Sequence, residues 1–155
     1  MTDSEEFLSQ EKFDELKKEL EHLKTVRRKQ IAESLEYARS LGDLSENAEY
    51  QEARDLQAAT EERIAKLESV LSSAKIVSHK KSDAVTLGAV AVIQKIGEKD
   101  THEYKLVGSE EANMIERKIS HLSPLGQALM GKKKGEDFTF ETPNGKQKYK
   151  ILSVE

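Results

Sequence analysis

The sequence predicts an α+β chain in two parts: an N-terminal antiparallel α-helical coiled-coil hairpin, then a small domain built on a mostly antiparallel sheet. Three observations predict it. Apolar residues recur at alternating spacings of 3 and 4 over residues 9–41 and again over 50–74, the seam of a coiled coil. A polar stretch, LGDLSENAEY (41–50), separates the two runs. Past residue 76 the pattern becomes that of short strands punctuated by Gly, Pro and Asn. The expected division is 1–76 for the hairpin, with its acidic tip near 42–50, and 77–155 for the sheet domain.

In the first helix Ser9 suits the N-cap and Glu11 the favourable first turn. The seam runs Phe13, Leu16, Leu20, Leu23, Arg27, Ile31, Leu35, Ala38. In the second it runs Tyr50, Ala53, Gln57, Thr60, Ile64, Leu67, Leu71, Ala74. Facing residues of an antiparallel hairpin have a constant number sum. Pairs from Phe13–Ala74 to Arg27–Thr60 all add to 87, and pairs from Ile31–Gln57 to Ala38–Tyr50 all add to 88. The fold point therefore lies near residue 44. The seam is most apolar at the base, so the base is expected to hold most of the stability and the outer half to be thin.

Beyond the linker, 87–96 and 102–107 read as strands around a turn at Gly97–Asp100. SPLGQALMG (123–131) reads as a short helix, with Ser123 at the N-cap, Pro124 at the first helical position and Gly131 at the end. DFTFE and KQKYKILSV flank Asn144–Gly145, a hairpin turn. Phe138 and Phe140, two apart, point to one core-facing side.

Composition narrows the function. The chain has 155 residues, 35% charged, and no Cys, which excludes disulfides and thiolate metal sites. Its four His (His22, His79, His102, His121) show no metal-ligand spacing. Residues 1–75 hold 18 acids and 12 bases, a charge of −6; the remainder carries +2, for a total of −4. Neither part has the basic excess of an autonomous nucleic-acid binder. No signal-peptide pattern or membrane-length apolar run occurs, so a soluble cytoplasmic protein is expected.

The tip has two readings. In one, Gly42 stops the first helix, Asp43 caps the second and Glu46 completes a capping box. In the other, Asp43 and Glu46, at i and i+3, start roughly 5–6 Å apart on one helix face and share a hard divalent cation such as Mg²⁺. Two acids make an incomplete site, to be finished by waters and phosphates from outside. Ser45 and Asn47 suit positioning of water or RNA, and equally turn chemistry. Tyr50 suits an aromatic platform for a base, or closure of the seam opposite Ala38. Arg39 and Arg54 suit RNA phosphates, or pairing with Glu36 or Glu49. Arg27, Arg28 and Lys29 lie further back; Arg27 also suits a polar seam position.

GDLSENAEY between two heptad helices resembles the tip of the Gre proteins, the bacterial transcript cleavage and elongation factors. VRRKQI, AKIV and SPLGQALMGKKKGEDFTFETPNGK extend the resemblance over nearly the whole chain. Leu44, where one branch of that family typically carries a basic residue, and the acidic hairpin resemble the other branch. The resemblance implies that the second domain is FKBP-like and docks on bacterial RNA polymerase, with MGKKKGED among its exposed determinants. It implies that the hairpin enters the polymerase secondary channel. There Asp43 and Glu46 would act as the catalytic acids, holding a shared Mg²⁺ only in the polymerase complex, with none bound to the free protein. It implies weaker RNA or active-centre contacts by Ser45, Asn47, Tyr50, Arg39 and Arg54. The expected partners are the polymerase and the nascent RNA 3′ end, with no membrane and a monomeric factor. The expected role is accessory: the polymerase hydrolyses backtracked RNA and this chain completes its site. Prolyl isomerase activity is not expected, because the second domain has too few aromatic residues. The alternatives are a Gre-like channel-binding inhibitor without cleavage stimulation, and a structural coiled-coil adaptor.

Overall fold

The computed structural model describes residues 5–155. The chain forms two compact units. One is Phe13–Ser73; the other combines the segment through Lys12 with Ala74–Glu155. The expected division followed chain order, with the whole N-terminal segment in the hairpin. By contacts, the residues before Phe13 join the sheet unit instead. The reason is a short strand, β1 (Glu6–Leu8), which pairs in parallel with β2 (Ala74–Ile76).

The hairpin unit is helical on both arms. α1 (Gln10–His22) begins at Ser9, whose Oγ accepts the Lys12 N–H at 3.2 Å, the expected cap. α2 (Arg28–Ser40) continues the first arm, and α3 (Ala48–Ser73) forms the second. Between α1 and α2, residues Leu23–Arg27 form a π-helical turn, with the Arg28 N–H donating to the Leu23 carbonyl. A π-turn inserts one extra residue into an α-helix. It sits where the number sum of facing residues steps from 87 to 88, so the step has a physical cause. Two ion pairs flank the inner register, Arg63–Glu19 at 2.7 Å and Lys24–Glu68. Their sums fall equally below and above 87, as pairs on the two sides of an antiparallel seam must.

Leu16, Ile64, Leu67 and Val70 are buried toward the base. Toward the tip, Ile31, Leu35 and Ala53 form a second buried cluster with Tyr50 against it. The outer half is therefore better packed than its polar positions suggest. The thinnest region is the middle, where Leu23, Arg27 and Gln57 are half-buried and Val26 is exposed. Each fully buried Leu or Ile is worth about 1.5–3 kcal/mol. These two clusters, rather than the exposed ion pairs, therefore hold the arms together. The expected seam position Ala74 lies outside the helix, opening β2; α3 ends at Ser73.

The second unit is a five-stranded sheet in the order β5-β4-β3-β7-β6. β3 (Val90–Lys95) and β4 (Thr101–Val107) are antiparallel around the predicted turn. β6 (Asp137–Thr142) and β7 (Gly145–Val154) form the predicted Asn-Gly hairpin, and β7 also pairs with β3. β5 (Lys118–Ser120), which was not predicted, adds the one parallel pairing of this sheet, on β4. α4 (Pro124–Leu129) starts at Ser123, whose Oγ accepts the Gly126 N–H at 3.0 Å. The core comprises Val85, Ala91, Ile93, Leu106, Ile119, Leu129, Phe138 and Ile151, with Phe140 packed against it.

β1 is strapped onto this unit. Ser9 donates twice to Glu111, from its N–H at 3.2 Å and from Oγ at 2.9 Å. Gly108 faces the Phe7 carbonyl so closely that a Cβ there would lie 1.8 Å from the oxygen, so only glycine fits.

If the π-turn is a one-residue insertion, removing one residue there should heal the helix. Deleting Thr25 should leave the helical circular dichroism intact and move Tm by only a few degrees. Deleting Ala32, inside regular helix, should lower Tm far more, because it throws Ile31 and Leu35 out of phase.

Candidate functional site at the hairpin tip

Residues 41–46 connect α2 to α3 and are all exposed. Gly42 takes φ +130°, left-handed backbone that suits glycine, and stops the first arm as expected. The second arm does not start where the capping-box reading placed it. Asp43 is not its N-cap. That role falls to Asn47, whose Oδ1 accepts the Tyr50 N–H at 3.0 Å. Asp43 caps a smaller feature: its Oδ1 accepts the Ser45 N–H at 3.0 Å and the Ser45 Oγ–H at 2.9 Å, an Asx-turn. Asp43 and Glu46 therefore lie on a turn rather than on a shared helix face, which corrects the i, i+3 expectation. Local hydrogen bonding to Asp43 competes with helix formation and delays the helix to Ala48.

The two Ser45 donors, the backbone N–H first, lower the Asp43 pKa below the ordinary carboxylate value. Its Oδ2 and both Glu46 oxygens have no protein partner among the described residues. No group of three or more His, Asp or Glu that could hold a metal occurs among those residues. The tip thus offers hard, exposed oxygen donors. That set fits a Mg²⁺ ion completed from outside and is too small to form a cage by itself.

The neighbouring residues separate clearly. Tyr50 is half-buried against Ile31, Leu35 and Ala53, with the Arg39 guanidinium 5.8 Å from its ring centroid. It closes the seam, and Arg39 stacks on it instead of pairing with Glu36 or Glu49. Arg54 is exposed and makes no ion pair among the described residues. Arg28 is committed to Glu61 through two 2.8 Å hydrogen bonds, while Arg27 is half-buried and reaches Gln30 at 3.3 Å. Asn47 has a second bond that sequence reasoning missed: its Nδ2 donates to the Ala38 carbonyl at 2.6 Å.

An exposed acidic turn closing a helical hairpin, with a small α+β unit in the same chain, defines a two-part factor. Comparison with known proteins identifies which. The N-terminal model of the GreA/GreB transcription elongation factors matches residues 6–76, and the C-terminal model matches residues 80–155. The chain belongs to the GreA/GreB family of transcription elongation factors. It is 44% identical over 157 residues to transcription elongation factor GreA of Clostridioides difficile (strain 630), covering 99% of each chain. It is 47% identical over 147 residues to GreA of Streptococcus pneumoniae serotype 19F (strain G54), covering 94% of this chain and 92% of that one. The crystal structure of GreA factor homolog 1 (Gfh1) of Thermus thermophilus aligns with 97% of this chain and 99% of its own, at 26% identity and a TM-score of 0.45. Among the described residues no helix is long and apolar enough to cross a membrane.

The Asp43 carboxylate is tied to folding with a definite sign. Because its folded pKa is lowered, its contribution to the turn is complete above about pH 3.9. It is lost as pH falls through the folded value. Ser45→Ala removes the hydroxyl donor but keeps the backbone N–H. An NMR titration should show the Asp43 pKa rising toward, and stopping short of, the ordinary value.

Proposed function

We propose that this chain enters the secondary channel of bacterial RNA polymerase and stimulates the polymerase's own cleavage of backtracked RNA, acting as a monomer in the cytoplasm. The observation that carries the reading is the tip. Two exposed carboxylates, one of them oriented by hydrogen bonds from Ser45, sit on the turn that closes the hairpin. The 26 residues of α3 span about 39 Å, enough to carry the turn deep into a narrow passage. Within the polymerase, Asp43 and Glu46 present oxygens to the reacting centre. Asp43 offers Oδ2, because Ser45 occupies Oδ1. The shared Mg²⁺ would supply charge stabilisation for displacement at the RNA phosphodiester. Arg54, exposed beside the tip, draws the RNA phosphates toward the acids; Arg39 adds positive charge from its place over Tyr50.

The sheet unit serves as the docking part. It exposes Ile115 at 93% and Met114 at 65%, apolar surface whose burial against protein is favourable. The chain contributes no nucleolytic site of its own in this reading. It is an accessory factor that completes one.

The test is a backtracked elongation complex with 3′-labelled RNA and Mg²⁺. The wild-type chain should release short 3′ fragments. Asp43→Asn and Glu46→Gln should each lower the rate at saturating factor by at least about 100-fold, the size of losing an aligned catalytic group, with binding unchanged. Binding without fragment release by the wild type would favour the channel-occupying inhibitor.

A further inference from the structure

We infer that Asn47 is the positioning residue of the tip, its side-chain amide closing the acidic loop on a single carbonyl oxygen. The inference rests on the reading above, in that it names what holds Asp43 and Glu46 in place. The loop residues 41–46 are exposed, so packing does not fix them. Its two ends are tied instead. The Ala38 carbonyl accepts the Leu41 N–H at 3.2 Å and Asn47 Nδ2–H at 2.6 Å. The residue that begins the loop and the residue that follows it therefore meet on one oxygen. That oxygen belongs to a residue only 1% exposed. The opposite end of the same amide, Oδ1, holds the Tyr50 N–H, and Tyr50 packs on Ile31, Leu35 and Ala53.

Both partners of the amide are thus anchored in the buried seam, and the amide transmits that rigidity to the loop. The position needs a short side chain with an acceptor for the α3 N-terminus and a donor for the α2 C-terminus. Asn provides both at this length. Asp and Ser provide the acceptor but not the amide donor. Inside the closed loop, Ser45 orients Asp43, and Gln51 Nε2 reaches the Leu44 carbonyl at 3.4 Å. Asn47 touches neither the RNA nor the metal in this account; it acts through the acids.

The experiment compares wild type with Asn47→Ser and Asn47→Asp, which keep a capping acceptor and lose the donor to Ala38. Amide hydrogen exchange on the free protein should show the Leu41 and Ser45 amides about tenfold less protected in both variants, as for a lost hydrogen bond. Tyr50 protection and helix content should be retained. In the cleavage assay, the rate at saturating factor should fall at least tenfold in both, while the half-saturating concentration stays that of the wild type. Unchanged exchange at Leu41 and Ser45 overturns the inference, as does a wild-type saturating rate in Asn47→Ser. A loss of activity matched by loss of helix also overturns it, since that is capping alone. If the wild type releases no RNA fragments, the functional reading fails by itself, and the exchange measurement still decides the role of Asn47.

Discussion

The structure depends on the seam between the two arms of the hairpin. Two sets of buried residues line it: Leu16, Ile64 and Leu67 toward the base, and the cluster of Ile31, Leu35 and Ala53 toward the tip, which packs α2 against α3. The two sets differ in register by one residue, and the π-turn at Leu23–Arg27 absorbs the difference. Were that extra residue wound into regular α-helix instead of taken up by the π-turn, the outer arm would rotate by about 100°, given 3.6 residues per turn. Ile31, Leu35 and Ala38 would then leave the seam. The turn at the end of the arms would lose the buried residues on which it is hung.

The tip shows how an exposed loop can have a defined shape. Loops at a surface are usually set by backbone preference and solvent, and little else. Here the buried Ala38 carbonyl gathers both ends of the loop, Gly42 permits the reversal, and an Asx-turn aims one oxygen of Asp43 inward to Ser45. Two functions expected of one residue are divided between two. Asn47 caps α3, so Asp43 has no cap to surrender, and its second oxygen is left open. A carboxylate already oriented pays less to engage a cation than one that must first be fixed.

Much of this was legible in the sequence, and the misses have physical causes. The heptad spacings located both arms, and the jump in the number sum marked the π-turn without naming it. Ser9, Ser123 and Asn144–Gly145 declared their roles because capping and tight turns need particular side chains at particular places. β1, β2 and β5 are three residues each, too short for alternation to register. Their pairing is set by tertiary contacts such as Gly108 against Phe7. At the tip, Asp43-x-x-Glu46 and Asn47-x-x-Tyr50 both offer a cap, and pattern alone favoured the acidic one. Asn47 prevailed because it alone also reaches Ala38, a residue nine positions back whose carbonyl comes within range only once the hairpin has folded.

The central claim is that this turn reaches the polymerase reacting centre. It is tested most directly by replacing Mg²⁺ with Fe²⁺ in a backtracked elongation complex and generating hydroxyl radicals at the active-centre metal. The account predicts backbone scission of this chain within residues 41–50. Scission absent there, or falling instead within Ala74–Glu155, would contradict it.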